Sequence, residues 1–385
     1  MKRSSERILT THVGSLARPH ELLETMRAKE HGEPYDPELL EEQVRAAVAS
    51  VVRRQADCGL DVVCDGEQGK VSFIQYLGER LGGIEPSEES AALAPSWQLE
   101  VDLFPEYYAS YFGKYSSAIS SLSTAICTGP ITYTGHAALR RDIANLQAAL
   151  ADVEVEEAFM PAISPGSFIS RNEFYASESE FVEALADALR EEYRAIVEAG
   201  LVLQVDDPWL IEVLADASRT TDAERRTAAH EHVEVLNHAL RGIPSEQVRY
   251  HTCYGLNHGP LVHDLPFVDV VDLMLAVNAG AYSFEVANPR HQHEWRVWQD
   301  VPLPEGKILI PGFLSHATNF VEHPRGIADG IVTFAKLVGR ENVIAGADCG
   351  FSSRASFAPE VHPTVAWAKL EALAQGARLA SPELW

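Results

Sequence analysis

Short continuous apolar runs alternate along the chain with longer stretches in which apolar positions recur every three or four residues. The first pattern reads as buried strand and the second as amphipathic helix. Strands are expected at Asp61–Cys64, Leu122–Cys127, Phe159–Ser164, Leu201–Val205, Val248–Cys253, Tyr282–Val286, Lys307–Phe313 and Val343–Ala347. Helices are expected at Pro37–Ala56, Glu178–Ala199, Asp222–Leu240, Pro324–Val338 and Pro359–Ala377. Gly59, Gly200 and Gly339 fall where the chain leaves a helix, a position that favours glycine because the backbone there turns left-handed. Eight such strands predict an α/β fold, a single (β/α)8 TIM barrel spanning residues 1–385.

Two segments stand outside the alternation. Residues 1–34 form an N-terminal extension carrying THVGSL, and residues 85–121 form an aromatic-rich insertion after the first strand, with Trp97, Phe104, Tyr107, Tyr108, Tyr111, Phe112 and Tyr115. An insertion there lies on the face where barrel enzymes work, so it would wall a pocket or make a subunit contact in a homo-oligomer.

Composition narrows the function. The chain has 385 residues with a formal net charge of −25, which repels phosphate backbones and anionic lipid surfaces, so neither nucleic acid nor membrane is an expected partner. No apolar run reaches the roughly 18 residues of a bilayer span. The N-terminal residues lack the apolar core of a secretory signal, and a cytoplasmic location is expected. The five cysteines Cys58, Cys64, Cys127, Cys253 and Cys349 are too few and scattered for a disulfide framework, and read instead as thiols or metal ligands.

The chemistry gathers at strand ends. His251 and Cys253 are separated by one residue, and alternate strand residues share a face roughly 6–7 Å apart, so both side chains can reach one ion. Glu285 sits inside the apolar run YSFEVA, where an acid is costly unless it is paired or bound to metal. Cys349 ends VIAGADCG. In a barrel these ends meet on one face, giving His, Cys, Glu and Cys for tetrahedral Zn2+, with Asp348 as a competing carboxylate. Asp206 and Asp207 in LQVDDP face opposite ways, and Asp206 is expected inward with Asp207 structural. Glu67 follows a strand and can pair with a substrate ammonium, while the backbone of Gly14 and the hydroxyl of Ser15 suit a carboxylate. Arg290, in ANPRHQHEW, can hold an anionic group bidentately.

The segments THVGS, DGEQGKVSFIQYLGE, TGPIT, LQVDDP, HTCYG, SFEVANPR and ADCGF occur in the order found in the cobalamin-independent methionine synthase family. Over nearly its whole length the chain resembles the catalytic C-terminal barrel of that family and its short single-barrel relatives, which include the epoxyalkane:coenzyme M transferases. The resemblance implies a zinc-dependent thiol S-methyltransferase. It makes His251, Cys253, Glu285 and Cys349 the Zn2+ ligands, and Val13, Gly14, Ser15 and Glu67 the site of an amino-acid thiol such as homocysteine. It places Asp206 at the methyl donor, which would be a methyl-tetrahydrofolate or another methyl or alkyl carrier. Where the long enzymes have a pterin-stacking tryptophan after TGP(V/I)T, this chain has His136, with Tyr133 as the nearby aromatic. The catalytic histidine of the family has its nearest counterpart in His316.

Such a metal set suits thiol alkylation. A free thiol, with a pKa of about 8.5, is mostly protonated at neutral pH and attacks only as thiolate. Two thiolates and a carboxylate outweigh the charge of Zn2+, so the centre is a weak Lewis acid that leaves electron density on a guest sulfur, unlike the histidine-rich sets of zinc hydrolases. The alternative reading keeps the metal and lets the thiolate open an epoxide. Arg290 or Arg18 would then hold a sulfonate.

Overall fold

The computed structural model describes residues 1–385 except 115–117, 121–122, 217 and 256–257, and the side chains of 88–90, 114 and 123 are likewise not described. Eleven strands occur among the described residues: β1 Leu9–Thr10, β2 Val62–Val63, β3 Leu81–Ser90, β4 Ser123–Tyr133, β5 Glu157–Ile163, β6 Ser170–Asn172, β7 Val202–Asp206, β8 Val248–His251, β9 Ala281–Glu285, β10 Ile308–Gly312 and β11 Ile344–Ala345. Six of them build a curled parallel sheet in the order β10-β9-β8-β7-β5-β2. In this sheet Asp206 is in register with His251, and His251 with Ser283. The register brings the C-terminal ends of neighbouring strands together, and the chemistry of the chain lies at those ends.

β1 and β11 pair with each other in parallel. β11 reaches β10 through the parallel bridges Leu309 to Val343 and Gly312 to Gly346, and β1 reaches the start of β2 where Asp61 N donates to Thr10 O at 3.1 Å. One expected strand belongs elsewhere. The run expected at Leu122–Cys127, of which Leu122 lies outside the described residues, falls in β4, which pairs antiparallel with β3 and parallel with β6 in a separate three-stranded sheet. The N-terminal β1 runs parallel with the main set instead. β1 is only two residues long, so periodicity gives it no signal, whereas the β4 run is apolar enough to imitate a central strand.

The outer helices bury one face against these strands. Helix Pro37–Asp57 is started by Asp36, whose carboxylate accepts from Glu38 N at 3.0 Å, and buries Val48, Val51 and Val52. Helix Asp222–Ala239 opens with a capping box between Thr221 and Glu224. The helix expected at Pro359–Ala377 runs Pro363–Leu384, because His362 rather than residue 358 caps it. Gly59, Gly200 and Gly339 all carry positive φ, as expected past helix ends. Among the described residues no helix is long and apolar enough to cross a membrane.

Candidate active site

A cavity of about 160 Å³ opens at the C-terminal ends of the parallel strands. Val13, Ser15, Glu67, Asp206, His251, Cys253 and Cys349 all line it, although they come from five separate stretches of chain. Residues Ala91–Ala94 and Trp97 form one wall, so the aromatic-rich insertion does wall a pocket. It is fastened by Ser96, whose N–H and hydroxyl donate to the two carboxylate oxygens of Glu212 at 3.0 and 2.7 Å. Tyr115 of the insertion lies outside the described residues.

Cys253 Sγ and Cys349 Sγ are 3.6 Å apart, and with a nitrogen of His251 they form a group whose ligand atoms all lie within 4.8 Å of one another. The sulfurs are reduced thiols. Two thiolates at about 2.3 Å from a tetrahedral metal stand roughly 3.8 Å apart, so the observed separation fits one shared ion. His251 Nδ1 contacts Ser283 Oγ at 3.1 Å, and its Nε2 is buried without a partner. In the tautomer that donates Nδ1–H to Ser283, the orphaned Nε2 presents a lone pair to the sulfurs. Burial, with Arg249 and His316 adding, holds the His251 pKa down to about 3, so the ring is neutral as a ligand must be. The contact with Cys349, then burial, pushes the Cys253 thiol well above its ordinary value in the absence of an ion.

Glu285 and Asp348 stand in a second group with His316, also within 4.8 Å of one another. Glu285 accepts from Tyr254 N at 2.8 Å and from Asn288 Nδ2 at 3.0 Å, while Asp348 Oδ1 accepts from Val286 N and Ala287 N. Burial and the neighbouring Glu285 raise the Asp348 carboxyl well above the usual range. His316 does not line the main cavity. Its Nε2 meets the Gly255 carbonyl at 3.3 Å, its ring lies edge-on to His258, and both line an adjoining cavity of about 350 Å³. Burial keeps its pKa down to about 4.

Glu67, in the lining of the same cavity, occupies a left-handed turn, φ +56°, held by Asp65 Oδ1 accepting from Glu67 N and by Arg18 donating to the carbonyls of Glu67 and Lys70. A non-glycine residue in that region stores strain and often marks a functional position. Glu67 Oε1 is 3.8 Å from Lys70 Nζ, and Oε2 is buried without a partner. Gly14, φ +149°, passes so close to Pro161 that a Cβ would stand 3.0 Å from its ring, with Glu67 Oε1 at 3.8 Å. Ser15 Oγ contacts Ser353 Oγ at 3.2 Å. Asp206 faces the cavity with Gln204 Nε2 donating to it at 2.7 Å, and burial, then Glu67, pushes its carboxyl well up. Asp207 points the other way into a closed network with Ser167, His232 and Tyr250, as the alternation of strand side chains requires.

Two expected site residues are elsewhere. His136 starts helix His136–Leu150, half exposed, 3.3 Å from Glu191 and edge-on to Tyr133, whose hydroxyl donates to the buried Glu192. Tyr133 ends β4 and His136 follows three residues later, so the departure of β4 from the main sheet carried both away. Arg290 forms a bidentate pair with Asp264 at the surface, reinforced by His291, and does not line the cavity. Sequence reasoning did not pick out Trp209, Glu212 or Arg354, which do line it. Trp209 had a signal: it stands three residues after Asp206, across a proline that starts the next helix. Arg354 had none.

A cavity at the C-terminal ends of parallel strands is where enzymes of this fold class carry their chemistry, and here two thiols and a neutral imidazole stand close enough together to hold a metal ion. The catalytic-domain model of the cobalamin-independent synthases matches residues 8–155 and 98–369, so the chain belongs to that family, and it is a methyltransferase. It is 23% identical over 384 residues to a methionine synthase of Saccharolobus islandicus, covering 97% of this chain and 95% of that one. It is 27% identical over 247 residues to a methionine synthase of Sulfolobus acidocaldarius, covering 64% and 61% of the two chains. A B12-independent methionine synthase structure from Shewanella, in complex with selenomethionine, shares the fold at a TM-score of 0.74 and 20% identity, over 98% of this chain and 99% of that one. A Listeria monocytogenes structure described as a putative vitamin-B12 independent methionine synthase gives 0.64 and 18% over similar spans.

Proposed function

We propose that the protein is a zinc-dependent homocysteine S-methyltransferase that forms methionine, built on an eight-stranded parallel barrel in which β1 and β11 complete the ring begun by the six-stranded sheet. The observation that carries the reading is the convergence of His251, Cys253 and Cys349 in a cavity that Glu67, with an unpartnered carboxylate oxygen, also lines. His251 Nε2, Cys253 Sγ, Cys349 Sγ and the Glu285 carboxylate are the proposed ligands. Zn2+ held there would strip the proton from a thiol and keep its sulfur nucleophilic at neutral pH.

The chain's own groups do the positioning. Glu67 takes the ammonium of homocysteine, and the Gly14–Ser15 backbone and the Ser15 hydroxyl face its carboxylate. Val13 packs on the carbons between. Asp206 sits opposite, toward the methyl donor. His316 is the nearest imidazole for a leaving group that requires a proton, and it approaches from the adjoining cavity. The epoxide-opening alternative wants a cationic sulfonate pocket, and neither of its expected cations supports it: Arg290 is bound by Asp264, and Arg18 spends its guanidinium on the carbonyls of Glu67, Lys70 and Ser352.

The test is metal analysis of purified protein beside a homocysteine methylation assay. About one zinc per chain is expected, with both metal and turnover lost in Cys349→Ser. Metal-free protein of full activity, or an undiminished Cys349→Ser variant, would overturn the reading.

A further inference from the structure

The aromatic residues that line the cavity have no part in the reading above. Trp97 and Trp209 face it from the insertion and from the helix after β7, and Phe73 adds a third ring. Three carboxylates line the same space, those of Glu67, Asp206 and Glu212. Among the described residues that line it, Arg354 is the single cation, and its Nη2 is directed to the Ser120 carbonyl at 2.6 Å. Aromatic faces attract cations through their quadrupole, most strongly tryptophan, and the carboxyls of Asp206 and Glu212, which burial biases toward the uncharged form, supply a counter-charge when a cation beside them draws them into ionising. The same wall repels a donor that carries several carboxylates, as does a chain of net charge −25.

Resting on the methyl-transfer reading above, we infer that the methyl donor of this site is a small sulfonium, held by Trp97 and Trp209 with Asp206 and Glu212 beside it. The step balances without a further reactant. A lone pair of the acceptor thiolate forms the new carbon–sulfur bond, the electron pair of the breaking bond returns to the sulfonium sulfur, and that sulfur leaves as a neutral thioether. Nothing at the leaving end takes up a proton. The geometry agrees, because His316 lines the adjoining cavity and not this one.

Two measurements test the inference. By calorimetry, the protein is titrated with S-methylmethionine and with its uncharged carbon isostere, 2-amino-5-methylhexanoate. Both carry the same amino-acid end, so any contact with Glu67 cancels and only the positive charge differs. At least tenfold tighter binding of the sulfonium is expected, with the ratio falling in Trp209→Leu; equal affinities overturn the inference. By turnover, zinc-loaded protein and homocysteine 13C-labelled in its carbon chain are given S-methylmethionine, glycine betaine, or 5-methyltetrahydrofolate as mono- and triglutamate. Label appearing in methionine when the sulfonium is the donor supports the inference. Transfer only from betaine or only from a folate overturns it and leaves the methyl-transfer reading standing. If no donor works and homocysteine does not perturb the spectrum of cobalt-substituted protein, the underlying reading itself falls.

Discussion

Removing the charge of Glu67 while keeping its shape gives the sharpest test of how the acceptor is held. The carboxylate is 2% exposed and its Oε2 has no partner, so a homocysteine ammonium placed against it makes a charge-assisted hydrogen bond in a water-poor site. Such bonds contribute about 1.5–3 kcal/mol. At about 1.4 kcal/mol per tenfold, Glu67→Gln should weaken homocysteine binding by roughly 10- to 150-fold. Lys70 complicates the arithmetic, because its Nζ lies 3.8 Å from Glu67 Oε1 and otherwise donates to Pro161 O at 2.7 Å. Neutralising Glu67 therefore leaves a buried cation less well matched, which also lowers stability. The assay separates the two effects. Calorimetric Kd values of zinc-loaded protein are measured for homocysteine and for 4-mercaptobutanoate, which lacks the amino group. The wild type should prefer homocysteine by the factor above, and the variant should bind both alike. A Glu67→Gln protein that keeps the wild-type preference would refute the assignment, whatever happens to its melting temperature.

Three further outcomes follow from the geometry. A Cβ on Gly350 would stand 2.0 Å from Ser15 Oγ, so Gly350→Ala should displace Ser15 and raise the KM for homocysteine several-fold, measured in steady-state kinetics. Asp207→Asn turns one of the two acceptor oxygens shared by Ser167, His232 and Tyr250 into a donor in a fully buried network, and should cost about 2–4 kcal/mol in denaturant unfolding. Burial above all holds His12 down to about 4 against an ordinary 6.5, so below pH 6.5 the unfolded chain takes up a proton that the folded chain refuses. That contribution is absent above pH 6.5 and erodes stability by about 1.4 kcal/mol per pH unit as pH falls toward 4, and urea midpoints at pH 7 and 5 should show His12→Gln losing less than wild type.

How much could be read in advance differs by type of signal. Strands β5, β7, β8, β9 and β10 were legible because each is a continuous apolar run, and the side-chain alternation along them correctly separated Asp206 from Asp207. His251, Cys253 and Cys349 were legible because few uses of such residues exist at the end of a buried strand. The β4 run misled, since periodicity reports burial but not which sheet does the burying. Its misplacement also explains His136. Glu285, expected as a ligand beside the two cysteines, groups instead with His316 and Asp348, and its contacts with Tyr254 N and Asn288 are set by backbone that no pattern records. Trp209 and Arg354 belong to loops and helix starts, where position depends on the whole fold.

The hydrogen bonds from Ser96 to Glu212 have an evolutionary reach. They fasten a panel, contributed by a single excursion of the chain, onto a frame whose sulfurs and Glu67 carboxylate come from other segments. Substitutions between positions 91 and 97 can therefore reshape the partner that enters opposite the thiol without disturbing the atoms that activate it. On the methyl-transfer reading, variation confined to this short stretch would alter what meets the guest sulfur while leaving the groups around that sulfur in place.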